Sequence, residues 1–425
     1  MRFRRLLRLG LVVGVIALAG TLLVAVLGPT RLVLIALAAF RKPPPVYAVN
    51  PNDGPHNAAK SGVTHTLFGI TPFPYDTTLE AVRRTREIIT PNTTLAVLHF
   101  DDGIPWKEAL ADAPFPSRIQ REWEDDAKNL PTGRPVYLGF APLDTDRKSL
   151  APATGDQKRL PLPEELRGAP LDSPQVEAAY LNYARRAVRL FHPQYLNLGI
   201  EAGEIMERDF SRWPQLERLY GYVHDALKRQ YPRMQIGISF GLADLRSQRE
   251  AEAARPLIAR SDYVGLSFYP YASPFEEMMG AAPYGGGPDA WRRPLAWVRA
   301  YTDKPIAICE TGYSTQSIQI PQFGLNMPVD PAMQAQYVKE LFQIARRDRY
   351  AFVVWFLAVD YDRMYARFPS GSDALKLWRN IGLWDGDVRP KPAWKVWQAG
   401  LAASWSFTAP PPSRSGPAVL PGPAR

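Results

Sequence analysis

Cysteine and histidine are scarce in these 425 residues, with one of the former and five of the latter. A lone thiol closes no internal disulfide and cannot build a Cys-rich zinc site. The histidines stand at 56, 65, 99, 192 and 224. Only His99 falls at the end of an expected strand, so a divalent-metal reading of His99, Asp101 and Asp102 lacks a second imidazole, and no metal or other cofactor is expected. A basic domain is missing too. The net charge of +9 belongs to the ends: residues 1–42 carry Arg2, Arg4, Arg5, Arg8, Arg31, Arg41 and Lys42 without an acid, and residues 408–425 add Arg414 and Arg425. Between them, 42 basic residues face 42 acidic ones. Phosphate neutralisation supplies most nucleic-acid affinity, so a nucleic-acid partner is excluded. Glycine and proline, 30 and 42 residues, stay below a low-complexity share, and 46% apolar residues can fill a core.

Long uncharged runs are also rare. Residues 9–28 form one of 20 residues, about 30 Å as a helix, which matches a bilayer's hydrocarbon thickness. Arginines before it and fewer just after it favour a cytoplasmic N-terminus, placing the remainder outside the cytoplasm, periplasmic or extracellular. The run 32–40 is too short to cross alone. Cleavage near Ala36-Leu37-Ala38 would instead make residues 1–42 a signal segment and the product secreted. Residues 43–57 read as a Pro-rich linker, 58–407 as one domain, and 408–425 as a Pro-rich tail without core-forming capacity.

Within the domain, short apolar runs alternate eight times with amphipathic stretches. Strands are expected over 66–71, 95–100, 136–141, 195–200, 235–240, 263–269, 305–310 and 352–357. Helices are expected over 78–89, 117–130, 174–191, 214–231, 249–260, 288–301, 331–347 and 391–403. This is the order of a (β/α)₈ TIM barrel. Parity agrees. Leu196, Leu198 and Ile200 alternate with Asn197, Gly199 and Glu201, and Val264, Leu266 and Phe268 with Gly265, Ser267 and Tyr269, as a strand with one face on helices and the other at a crowded axis requires.

Active sites of this fold lie at the C-terminal strand ends. There the sequence places His99, Asp101 and Asp102 after strand two, Glu201 and Glu204 after strand four, Tyr269 and Tyr271 after strand six, Glu310 on strand seven, and Trp355 on strand eight. Two glutamates at one mouth are the minimum apparatus for glycosidic cleavage, one protonated to release the leaving oxygen and one ionised. Parity sets Glu201 with Gly199, and Glu310 opposite in phase to Ala307 and Cys309; both are expected to point into the mouth. Trp106, Tyr271, Tyr313, Tyr361 and Trp384 offer aromatic faces for sugar stacking, while Trp291 and Trp297 have the spacing of helix core. Cys309 reads as a buried filler.

The segments Ser261-Asp262-Tyr263-Val264-Gly265-Leu266-Ser267-Phe268-Tyr269-Pro270 and Lys304-Pro305-Ile306-Ala307-Ile308-Cys309-Glu310-Thr311-Gly312-Tyr313, then Trp355, Gly382-Leu383-Trp384-Asp385 and Pro390-Lys391-Pro392-Ala393-Trp394, resemble the second half of clan A glycoside hydrolases, nearest to the endo-β-1,4-galactanase type. The resemblance implies a retaining hydrolase of a β-linked oligo- or polysaccharide, with Glu201 as acid/base and Glu310 as nucleophile. It also implies that Tyr269 bonds the nucleophile and that Trp355 forms the floor under the sugar. One position departs from the pattern: where the clan has Asn before the acid/base, this chain has Ile200. Either another donor such as Asn197 or His99 supplies the missing sugar contact, or the enzyme is slow, or Glu204 is the acid. The same departure supports an alternative, a membrane-anchored barrel that has lost catalysis and binds polysaccharide or supports its assembly or export.

Overall fold

The computed structural model describes residues 63–272, 287–321, 325–367 and 376–403. The expected anchor, the linker and the tail lie outside the described residues, and among the described residues no helix is long and apolar enough to cross a membrane. Eight parallel strands make the sheet: β1 (Leu67–Ile70), β2 (Ala96–Phe100), β3 (Val136–Phe140), β4 (Tyr195–Asn197), β5 (Gln235–Gly241), β6 (Tyr263–Phe268), β7 (Ile306–Thr311) and β8 (Phe352–Trp355). Their order is β1-β8-β7-β6-β5-β4-β3-β2. The last joint, β1 to β2, is narrow. The Phe68 carbonyl accepts from the Thr94 and Leu95 amides at 2.7 and 3.0 Å, and the Thr94 hydroxyl accepts from Phe68 N at 2.8 Å. The result is a nearly closed barrel, ringed by α1 (Leu79–Ile89), α2 (Ser117–Asn129), α3 (Pro174–Phe191), α4 (Trp213–Gln230), α5 (Gln248–Arg260), α6 (Asp289–Tyr301), α7 (Pro331–Arg347) and α8 (Pro392–Ala402).

Local chemistry fixes the helix starts. Thr78, Ser173 and Asp330 each accept a backbone N–H of the first turn with the side chain, and Pro174 and Pro331 sit at the first helical position, where no amide hydrogen is needed. α3 stops at His192, which takes a left-handed conformation, φ 46°.

The strands separate two cores. Leu196, Leu198, Ile236, Ile238, Phe240, Val264, Leu266 and Phe268 face the helices in the large outer core. Inside the barrel, Tyr137, Tyr195, Tyr263 and Phe352 pack with Val97, Ala307, Cys309 and Val354. Small residues make room for these rings: a Cβ at Gly237 would stand 2.7 Å from the Tyr263 ring and carbonyl oxygen, and one at Gly265 2.6 Å from Cys309 Sγ. The alternation of large and small residues thus records which face is helix-covered and which is axial.

Strand seven breaks that alternation. Ala307 and Cys309 belong to the inner core, so unbroken parity would turn Glu310 toward the helices, and the phase argument from sequence is corrected here. Against β6, Leu266 pairs with Ile308 but Ser267 pairs with Glu310; against β8, Val353 pairs with Ile308 and Trp355 with Thr311. Cys309 is the extra residue of a bulge, which resets the phase and turns Glu310 to the mouth.

Candidate active site

Glu310 Oε1 accepts a hydrogen bond from the Tyr269 hydroxyl, which β6 delivers at its C-terminal end. Burial raises the Glu310 carboxyl to about 7, the Glu201 charge adds to this, and His99 and Tyr269 oppose it. Glu201 stands at the turn beyond β4 with φ 48°. Its amide donates to Ser239 Oγ at 2.9 Å. That hydroxyl also accepts from Asn197 Nδ2 at 3.0 Å, and Asn197 Nδ2 lies 3.1 Å from the Tyr137 hydroxyl. A polar column from the axial core therefore supports the backbone of Glu201.

Arg147 reaches in from the loop after β3. Its Nη2 donates to Glu201 Oε2 at 2.6 Å, and its Nε stands 3.9 Å from Glu204 Oε2. Glu204 is held up to about 7, first by burial and next by the Glu201 charge, against the lowering influence of Arg147. His99, its side chain 6% exposed, faces Asp101 Oδ2 at 3.5 Å. Burial pushes the His99 imidazole down, but Asp101, Glu310 and Glu201 together carry it above its ordinary value. Asp101 is correspondingly lowered, burial being outweighed by His99. Burial thus lifts two carboxyls, Glu310 and Glu204, to where they exchange a proton near neutrality, and Glu201 beside them is bonded by Arg147.

The structure thus gathers Glu201, Glu204, Glu310, His99, Asp101 and Tyr269. It does not gather the other expected residues. Trp106 is fully buried and donates through Nε1 to the Ala151 carbonyl at 2.7 Å. Asn197 is fully buried in the column just described. Tyr271 is buried with its hydroxyl on the Leu377 carbonyl at 2.6 Å, and Tyr313 is buried among Tyr271, Trp291 and Tyr337. Trp355 points outward, fully buried, with Nε1 on the Ile381 carbonyl and its ring near Tyr337 and Trp397. Trp384 packs on Trp394 beneath the Arg84 guanidinium of α1. Trp106, Tyr271 and Trp355 thus each meet a carbonyl acceptor within the helix layer or a loop core, whereas Trp384 Nε1 is buried without a hydrogen-bond partner.

Other aromatics occupy the mouth. Phe356 is partly exposed and packs edge-on against Tyr269, Phe73 and Tyr361, and Phe73 also meets His99. Trp378 lies edge-on to Tyr269. The alternation of β8 held the signal: Phe352 and Val354 are axial, so Phe356, and not Trp355, continues their face. Ile200, 4% exposed, fills space beside Gly139 and leaves the position before Glu201 without a polar group. A cleft of about 550 Å³ shares His99, Asp101 and Tyr361 with the mouth but extends away over Asp102, Glu122, Trp123 and Asp126, and neither Glu201 nor Glu310 lines it.

No protein-family model matches the chain, and no curated protein matches it. Solved structures do. An exo-β-1,4-mannosidase, Op5Man5, from Opitutaceae bacterium strain TAV5 superposes with TM-score 0.54 at 12% identity, over 80% of this chain and 59% of that one. A GH5_18 protein from Streptomyces cattleya, in complex with Manβ1-4GlcNAc, gives 0.55 at 13% identity over 79% and 80%. A GH53 catalytic domain from Ignisphaera aggregans gives 0.49 at 18% identity over 83% and 99%. This chain therefore spans about three fifths of the mannosidase's length. At such identities the likeness concerns the fold alone, a (β/α)₈ barrel.

Proposed function

We propose that the domain hydrolyses O-glycosidic bonds of a β-linked glycan with retention, Glu310 acting as nucleophile and Glu201 as acid/base. The observation that carries this reading is the convergence of two glutamates from β4 and β7 at one strand-end mouth, one bonded by Tyr269 and one by Arg147. Glu310 attacks the anomeric carbon as Glu201 protonates the departing oxygen; water, deprotonated by Glu201, then releases the sugar from Glu310. Phe356, Phe73 and Tyr361 form the apolar wall for the sugar ring. Residues 9–28 hold the domain to a membrane on its outer face. The test is a panel of β-galactans, β-mannans and β-glucans with reducing-sugar release as readout. Loss of release in Glu201→Gln but not in Glu204→Gln supports the assignment; the reverse result makes Glu204 the acid.

The second reading, a barrel that binds polysaccharide without cleaving it, is favoured by Ile200 and by the cation already seated on Glu201. Binding of panel glycans with no release from any of them establishes it.

Tyr269→Phe reports on the nucleophile. The hydroxyl bond lowers the Glu310 carboxyl from where burial would put it. Its removal raises that carboxyl further, so the acidic limb of activity moves to higher pH by about one unit, with kcat down on the order of 10²-fold. An unmoved limb in the pH–rate profile refutes the role.

A further inference from the structure

Arg147 lies at the tip of a tight excursion after β3. Leu143 and Leu150 pair antiparallel, Asp144 N donates to the Ser149 carbonyl at 2.9 Å, and Asp146 Oδ1 accepts from the amides of Lys148 and Ser149. Arg147 itself takes a left-handed conformation, φ 55°, and Glu201, its partner, takes another, φ 48°. Each such residue costs roughly 1–2 kcal/mol when it is not glycine, and a surface ion pair requires neither. The two side chains are 14% and 20% exposed, so their contact is screened far less than one on the rim. The Arg147 Nε–H is buried without a hydrogen-bond partner, 3.9 Å from Glu204. The loop is therefore shaped to bring one guanidinium to the two carboxylates beyond β4, at the cost of backbone strain and an unfilled donor.

We propose that Arg147 is a positioning residue of the hydrolytic cycle: it holds the Glu201 carboxyl in place beside Glu204, oriented to take a proton from water in the second step. The inference rests on the glycosidase reading. In the first step a proton passes from Glu201 to the leaving oxygen while the C–O bond breaks and the Glu310 carboxylate bonds to the anomeric carbon. In the second, water gives a proton to Glu201, its oxygen bonds to the same carbon, and Glu310 departs as carboxylate. A guanidinium on Glu201 favours the state from which the second step begins and the state to which the first step leads. It is a group of this chain acting through Glu201, with no contact to the reacting bond.

A dinitrophenyl β-glycoside of the sugar identified by the panel separates the steps, because its leaving group needs no proton and the second step limits kcat. In the Arg147→Met variant kcat falls about tenfold or more while kcat/KM stays within about twofold, and Arg147→Lys recovers most of the loss. Azide, a nucleophile that needs no base, restores kcat in Arg147→Met and yields the glycosyl azide. A parallel fall of kcat and kcat/KM without azide rescue marks a merely structural role and overturns the proposal, as does an unchanged kcat. If the wild-type protein turns over no glycoside at all, the glycosidase reading fails first and this inference with it.

Discussion

Glu310→Gln destroys activity, lowering reducing-sugar release on the order of 10⁴-fold, and at the same time makes the folded protein more stable at alkaline pH. The amide cannot form the glycosyl–enzyme bond, which accounts for the first effect. The second follows from burial, which with the neighbouring Glu201 charge raises the Glu310 carboxyl from 4.5 to about 7. The folded state therefore keeps a proton that the unfolded chain has already released. Stability from this group is complete below the unfolded value and is lost as pH rises through about 7. Glutamine suffers no such loss. Melting curves of the two proteins should differ little at pH 4 and diverge toward pH 8, the variant melting higher. Curves that stay parallel across that range show that Glu310 does not hold its proton, and an active variant removes it from the chemistry.

Phe352→Ala strongly destabilises the protein. The ring is fully buried on the barrel axis, with centroids 4.7 Å from Tyr137, 5.0 Å from Tyr195 and 5.6 Å from Tyr263. Three large rings on three different strands cannot all move in to fill the void, so the cost is about 3–5 kcal/mol. A fall in the denaturant midpoint at unchanged slope measures it. A loss below about 1 kcal/mol would mean that the axial core rearranges, contrary to the close packing described.

Much of the fold was legible because local and global signals coincide. Pro174 and Pro331, each preceded by a capping side chain, mark helix starts to the residue. Val264, Leu266 and Phe268 alternate cleanly because one face of β6 meets helices. The pair Glu201 and Glu310 was legible from position at strand ends and from the motif around Glu310. The aromatic residues were not. Whether Trp106 or Tyr313 meets solvent depends on loops that fold back over them, and a loop's path leaves no period in the sequence. Trp355 was legible in principle, since the parity that made Phe352 axial makes Trp355 outward. The Cys309 bulge was not, because one inserted residue changes pairing without changing composition. Arg147 was missed for a related reason: nothing in a run of Asp144, Asp146, Lys148 and Ser149 announces that a turn will carry its arginine inward.

The narrow joint between β1 and β2 bears on how the chain is made. β1 completes its ladder only with β8, Leu67 pairing with Phe352. The first strand to emerge from a ribosome must therefore wait for nearly the last, tethered meanwhile to β2 by the bonds around Phe68 and Thr94. Contacts so distant in sequence form late and slowly. β1 is thus the strand left longest without its partner during synthesis, and the one that a chaperone has most reason to hold.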